Sequence, residues 1–279
     1  MALFRALESS RPDGSRLFTD PFASGFLHQW RKWFAVAARF GVGRWIVEQL
    51  LDRSAPGARA AGIARTKWID AEVNGALEHA TQLVLLGAGF DSRAIRLPCA
   101  QGAITFELDQ RETSAAKQAA LKDAVGSLSE RVRFVTIDFN LQSITEVLAQ
   151  AGFDKSRRAC FVWEGVTNYL SADSVDGVLD QVAQTAPGTI LVFTYIDRAV
   201  LDRPEQFNGA VKLMARLRSY GEPWTFGICP EKLPAYLTQR GLTLLKDVGV
   251  AEVWQEAGRA SSATLGYEFY RLASCQVQR

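Results

Sequence analysis

From residue 82 onward the chain repeats one rhythm, a short apolar run followed by a turn and a helical stretch, and that rhythm limits the folds open to it. The runs are QLVLL, AITFELD, RVRFVTID, ACFVWEG and TILVFTYID. Four of them lack strict alternation of polar and apolar residues, as expected of strands covered on both faces. Strands separated by helices in this way predict a parallel sheet with crossover helices, a doubly wound, Rossmann-like α/β fold. Two further runs, GLTLLKDVG and LGYEFYRLA, flank a polar loop containing Gly258 and Ser261-Ser262. A closing antiparallel hairpin suits them, with two ordinary edge strands as the alternative.

The texture before residue 80 is different. Residues 22–80 read as helical and aromatic, with Phe22, Phe26, Trp30, Trp33, Phe34, Phe40 and Trp45 at mixed three- and four-residue spacings. Such rings form a packing face, or some of them line a pocket. Pro56-Gly57 marks a break before a helix over roughly 62–79. Residues 198–229 interrupt the later rhythm with a helix, AVKLMARLRSY, and the sequence GEPWTFG. An insertion of this kind is either surface decoration or part of the ligand-binding loop side of the sheet. The expected organisation is a helical cap or lead-in over 1–80, then a ligand-binding domain over 81–279 that carries the insertion at 198–229.

Composition removes several classes of function. Lys and Arg number 32 against 30 Asp and Glu, and no dense basic run appears, which argues against a nucleic-acid partner. Cys99, Cys160, Cys229 and Cys275 form no C-x-x-C pair, against a zinc site or a disulfide framework and for a reducing compartment. The start, MALFRALESSRPDG, lacks a basic region followed by a long apolar stretch, and WFAVAA at 33–38 is too short to span a bilayer. The expectation is a cytoplasmic protein with a small-molecule partner, no membrane and no metal.

The first strand runs into Gly87-Ala88-Gly89-Phe90-Asp91, a tight turn that lets a ligand approach the backbone. An acidic pair, Glu107 and Asp109, follows about 20 residues on, where a carboxylate can accept both hydroxyls of a ribose. As i and i+2 residues the two acids share one strand face, so the motif leaves open which of them does so. A dinucleotide fold wants a third glycine for the pyrophosphate, but Ser92 stands there, which favours a nucleoside cofactor without phosphates. S-adenosylmethionine is one, and it needs a carboxylate to oppose its ammonium, for which Asp91 or Glu164 is available, and a cation for its carboxylate, for which Arg65 is. Asp138 and Phe139 end the third strand, where an acid and the next backbone N–H suit an adenine; a helix N-cap is the alternative for Asp138. Glu164 ends the fourth strand, and a buried glutamate there needs a cationic partner.

ARTKWID (64–70), LLGAGFDSRAIRL (85–97), FELDQ (106–110), TIDF (136–139) and EGVTNYL (164–170), with RPDGSRLFTDPFA near the start, together resemble the successive motifs of the leucine carboxyl methyltransferase-like family of S-adenosylmethionine-dependent methyltransferases. The resemblance implies a class I methyltransferase sheet with a helical cap. It implies that Arg65 binds the methionine carboxylate, Gly87 packs under the methionyl part, Asp109 holds the ribose, Asp138 and Phe139 hold the adenine, and Glu164 helps bind the amino end. Phe139 departs from the leucine usual in the family. The activity implied is O-methylation of a small molecule, a product of secondary metabolism among the candidates.

Methyl transfer from a sulfonium is an in-line displacement served mainly by alignment. A carboxylate acceptor is already ionised at neutral pH, whereas a hydroxyl needs a base. The chain has two histidines, His28 in the cap and His79 ahead of the first strand, at the sheet end opposite the ligand. Glu164, Tyr169 and His28 are the candidate catalytic groups, and the scarcity of histidine favours a carboxylate acceptor over a hydroxyl or phenol. A nicotinamide-dependent oxidoreductase would share the first glycines and the acid but lacks the third glycine. A serine hydrolase would need a G-x-S-x-G elbow that is absent, and a non-catalytic module would not keep five motifs.

Overall fold

The computed structural model describes residues 1–27, 33–34, 36–38, 40–126, 128–139, 141–260 and 266–278. A seven-stranded sheet forms the centre, in the order β3-β2-β1-β4-β5-β7-β6. The strands are β1 (Gln82–Leu86), β2 (Ile104–Asp109), β3 (Val132–Thr136), β4 (Ala159–Trp163), β5 (Ile190–Ile196), β6 (Leu242–Gly249) and β7 (Tyr270–Val277). Strands β1 to β5 pair in parallel, and β7 runs antiparallel to both β5 and β6. The parallel sheet and the closing antiparallel pair agree with the sequence pattern. The link between β6 and β7 is more than the expected polar loop, because the helix Val250–Glu256 opens it and the last strand begins only at Tyr270. Tyr267, Glu268 and Phe269, which the apolar run places in the strand, form the approach to it.

The period-two rule explains why β1 and β4 are apolar throughout. Leu83 and Leu85 of β1, with Cys160 and Val162 of β4, pack on one face against Ile69, Val73, Ala94 and Leu97. Val84 and Leu86, with Phe161 and Trp163, face the other way, against Val147, Leu148, Val175 and Leu179. Both faces are covered, so neither strand has a polar side to show.

Five helices matter for the site, four of them ahead of β2. α1 (Ala2–Ser9) and α2 (Gly41–Ser54) belong to the cap, α3 (Ala58–Leu77) lies against the sheet, and α4 (Arg93–Arg96) follows the glycine turn. The break at Pro56-Gly57 is as expected: Gly57 is the left-handed N-cap of α3, with φ of 78°. α1 falls within the helical cap or lead-in expected over 1–80, whereas residues 10–27 form turns and bends rather than helix. His79 is exposed in the turn ahead of β1, as expected. In the 198–229 segment the expected helix is α5 (Ala210–Ser219) in the numbering used here for site-bearing helices. Asp197 bridges Ile228 in parallel, tying the end of that segment to the end of β5.

Candidate active site

The carboxyl end of β1 makes a turn that only glycine permits at two places. Gly87 has φ of 64° and Gly89 of 46°. Ala88 N–H donates to Leu108 O at 3.0 Å, Asp91 N–H to Ala88 O at 2.8 Å, and Gly89 N–H to the Asp109 carboxylate. A Cβ on Gly87 would stand 2.7 Å from Cγ2 of Val166, on the loop after β4. Gly87→Ala is therefore expected to destabilise the fold by about 1–3 kcal/mol, from left-handed strain and crowding together. A thermal melt reads this directly, and an unchanged midpoint would show that the turn relaxes.

Around this turn the charged side chains form one buried network. Arg93 donates from Nε to Asp70 at 2.8 Å and from Nη1 to Glu164 at 2.8 Å and to Asp91. Asp70 also accepts from Arg96 Nη2 at 2.6 Å. Asp20 accepts from Arg5 Nε at 2.7 Å and Ser92 Oγ at 2.6 Å, and Arg5 reaches the Phe90 carbonyl. Burial alone would raise the carboxyl groups of Asp91 and Glu164. Arg93 beside both, with Arg65 beside Glu164, outweighs it and holds them below the usual carboxylate range. Both acids are thus anionic at neutral pH.

Arg65 comes from the middle of α3 and lies beneath the cap, its guanidinium 4.5 Å from the Tyr270 ring centre and its Nη2 2.8 Å from the Met1 sulfur. Its Nε faces Glu164 Oε1 at 3.5 Å. Neither of these two buried atoms has a hydrogen-bond partner among the described residues.

The two acids of β2 have different surroundings. Asp109 stands at the strand end, held by the N–H groups of Gly89 and Gln110, the latter at 2.7 Å. Glu107 is 2% exposed and pairs with buried Lys117 at 2.6 Å. Of these two cofactor-binding candidates, neither is among the residues that line the cavity described below; one step back along the same strand face places Glu107 under the turn, where Lys117 of the helix Arg111–Val125 engages its carboxylate, while Asp109 reaches the turn itself. Burial pushes its carboxyl up to about 7 against the pull of Lys117. The folded protein therefore holds a proton between about pH 4.5 and 7 that the unfolded chain releases, and stability falls as pH rises through that window, by at most about 3 kcal/mol. Glu107→Gln is expected to flatten this slope in denaturation curves taken from pH 5 to 8 and to leave cofactor affinity within about threefold. Asp109→Ala should weaken that affinity at least tenfold, as for a lost charged hydrogen bond of about 1.5–3 kcal/mol.

Asp138 and Phe139 follow β3 immediately past the position where Thr136 is in register with Asp109. The Asp138 N–H is taken by Gln142 Oε1 at 2.9 Å, and the Asp138 carbonyl accepts from Leu141 and Gln142 N–H. Ser143, not Asp138, caps the helix Ile144–Gln150. Phe139 packs partly buried against the main core. Neither residue lines the enclosed cavity; they stand on the same strand-end row, outside it.

The cavity itself has a volume of about 900 Å³, at the upper end for small-molecule sites. Its floor is Gly87, Gly89, Asp91, Arg65 and Glu164, and its far side is Asn168, Tyr169, Arg216, Trp224, Tyr267 and Tyr270. Met1, Phe4 and Arg5 of the α1 region and Val47, Leu50 and Leu51 of α2 close it from above. Both the cap and the 198–229 segment thus reach the site. Trp33, one of the cap rings read as either packing face or pocket lining, is 76% exposed and is not among the residues lining the cavity. Tyr169 is on the wall, half open to solvent. His28 and Trp30 lie outside the described residues. Among the described residues no group of acids, histidines or cysteines could hold a metal.

Sequence reading missed Arg5, Asp20, Asp70, Arg93 and Arg96. Asp20, Asp70, Arg93 and Arg96 sit inside the quoted motifs, as DPFA, ARTKWID and FDSRAIRL, so a signal was present for these four: more charge than a turn and two helices need at their surface. Partners 15 to 26 residues apart or farther meet only in three dimensions.

A family model described as leucine carboxyl methyltransferase matches residues 1–183. The chain belongs to this family. A Streptomyces coelicolor relative, whose name proposes an S-adenosyl-L-methionine-dependent methyltransferase, is 34% identical over 216 residues, 73% of this chain and 69% of its own. A Mycolicibacterium smegmatis relative with the same kind of name is 30% identical over 163 residues, 58% of this chain and 51% of its own. The chain thus spans about half the length of some of the curated relatives it matches. Among solved structures, a proposed methyltransferase from Thermobifida fusca superposes with a TM-score of 0.64 at 18% identity, covering 98% of this chain and 97% of that one. A DUF574 family protein from Streptomyces avermitilis gives 0.60 at 13% identity over 98% and 96%. These two likenesses concern the fold, the class I methyltransferase sheet that this family carries.

Proposed function

We propose that this leucine carboxyl methyltransferase family member uses S-adenosylmethionine to methylate an oxygen of a small molecule, and that the oxygen belongs to a carboxylate. The observation that carries the cofactor is the pair of buried atoms on the cavity floor, Glu164 Oε1 and Arg65 Nε, which face each other as an ion pair at 3.5 Å and make no hydrogen bond among the described residues. An α-amino acid end satisfies both, its ammonium on Glu164 and its carboxylate on Arg65, and the Gly87 turn leaves room beside them. Asp109, one hydrogen bond from Gly89, is in place for the ribose, and the strand end at Asp138 and Phe139 for the adenine. The relatives' names agree with this reading.

The acceptor is inferred from the opposite wall. Asp91 and Glu164 are the acids among the described lining residues, and Arg93 holds both, while the acceptor side offers Arg216, the Trp224 indole and three tyrosine hydroxyls. Such a wall suits an anion. When bound, the cofactor supplies an electrophilic methyl group, so a carboxylate oxygen forms the new C–O bond while the S–C electrons return to sulfur, giving a neutral ester and a thioether with no proton moved. The chain's part is to hold the amino-acid end, align the acceptor and keep water out under α1 and α2. Four unpaired cysteines support a reducing, cytoplasmic setting, and no helix among the described residues is long and apolar enough to cross a membrane.

The pH profile of transfer to an acid panel tests this. The rate is expected to be flat above about pH 6, because a free carboxylate titrates near 4, and the product to release methanol in mild alkali. An alkali-stable product with a rising pH limb would replace the carboxylate by a hydroxyl or phenol, with His28 or Tyr169 as the base to examine by substitution.

A further inference from the structure

Two polar groups on the far wall of the cavity have no hydrogen-bond partner among the described residues. Asn168 is 1% exposed, lines the cavity, and its Oδ1 accepts no hydrogen bond. Trp224 also lines the cavity, and its Nε1 is buried without an acceptor. A buried amide or indole N–H left unpaired is costly, so each of these sites calls for a partner that the cavity can bring.

Their positions relate both to the methyl-donor end. Asn168 is four residues beyond Glu164, in the 3₁₀ turn Thr167–Tyr169. Its backbone carbonyl accepts from Thr225 N–H at 2.8 Å, which ties the loop carrying Trp224 to that turn. The Trp224 ring packs edge-on against Tyr270, 6.4 Å between centres, and Tyr270 in turn carries Arg65 on its face. The two unpartnered groups therefore stand on the acceptor side of the rings that flank the amino-acid site. A half-turn of the Asn168 side chain exchanges its oxygen and nitrogen, so it can offer an N–H to the cavity as well.

We propose that Asn168 and Trp224 together bind the acceptor's oxygen-bearing group, and that the acceptor is an aryl or comparably flat apolar carboxylic acid. This rests on the methyltransferase reading above. The indole N–H and the Asn168 amide hold the carboxylate oxygen that is not methylated, leaving the other free to face the donor. Tyr267 and Tyr270 flank the apolar body, and Arg216 at the mouth attracts the anion. Both residues bind and orient; neither moves a proton.

The test uses the full chain saturated with S-adenosylhomocysteine and three probes, 1-naphthoate, 1-naphthol and 1-naphthylmethanol, with affinity read by calorimetry. The native protein is expected to prefer 1-naphthoate. Trp224→Phe, which keeps a ring and removes the N–H, and Asn168→Leu, which keeps the volume, should each weaken 1-naphthoate at least tenfold, as for a hydrogen bond to a charged group. S-adenosylhomocysteine affinity should stay within threefold, which also reports that the variants are folded. If Asn168→Leu does not fold, Trp224→Phe decides the matter by its contrast between probes, since the smaller ring would weaken all three alike whereas the lost N–H weakens 1-naphthoate most. Equal weakening of all three probes, or none, would make the two residues mere wall and overturn the proposal. A native protein that binds none of the probes overturns it too. If 1-naphthol binds in place of the acid, the carboxylate reading fails separately, and the pair is upheld only if both variants lose that phenol.

Discussion

Arg93→Met should leave a protein 3–5 kcal/mol less stable than the parent in urea denaturation, with no measurable cofactor binding. The guanidinium is the hub of three carboxylates, buried Asp70 and the part-buried Asp91 and Glu164, and is itself 2% exposed. Removing one member of a buried charge pair strands the other, and the cost is of that size even for a single pair. Against a total folding stability of about 5–15 kcal/mol, much of the population would unfold on modest warming. Arg93→Lys should recover little, since an ammonium presents one charge where a planar fork now bonds at Nε and Nη1 in two directions. The pH dependence has a definite sign. Asp91 and Glu164 lie below their unfolded values of 3.8 and 4.5, so the stability they contribute is present above those values and lost as pH falls through their folded ones. The parent should lose stability on acidification below about pH 4 more steeply than the Met variant. An Arg93→Met protein as stable as the parent would show that the carboxylates find water or other cations, and that the network is dispensable.

Glu164→Gln should weaken S-adenosylmethionine by roughly thirty- to hundredfold in calorimetry, equivalent to about 2–3 kcal/mol for a lost charge-assisted contact in a dry site. The change keeps shape and volume but removes the anion that opposes the ammonium and balances Arg65 and Arg93. S-adenosylhomocysteine should lose the same factor, because the two molecules share the amino-acid end and differ at sulfur. A loss confined to S-adenosylmethionine would move Glu164 from the ammonium to the sulfonium. A change below threefold for both would remove it from the cofactor site. Of the candidate catalytic groups, Glu164 is thereby a binding and electrostatic residue in the reading the geometry supports, and Tyr169 is a wall residue on the acceptor side.

The two acids of β2 show how far spacing can be trusted. Counting from the glycine turn brings both Glu107 and Asp109 to one face, and the alternation of a strand does not separate them. Depth does: Asp109 reaches the turn's N–H, and Glu107 stops short beneath it and meets Lys117. The aromatic cap was legible as helical and ring-rich, but not which rings face inward. Trp33 and Trp45 are exposed at 76% and 61%, while Phe26 and Phe34 line the cavity, a division set by how α2 and its neighbours lie on the core rather than by their own periodicity.

What the sequence determined by itself was local: strands from apolar runs, the turn from its glycines, and the polar ends of β1, β2, β3 and β4 as one ligand-facing row, since consecutive parallel strands place their carboxyl ends together. What only the tertiary structure decided was the pairing of charges and the closure of the site. Arg93 with Asp70 and Glu164, Arg5 with Asp20, and Trp224 beside Tyr270 join segments separated by 15 to 71 positions. Coulomb attraction in a desolvated interior depends on final distance and burial, and neither is a property of any short stretch of chain.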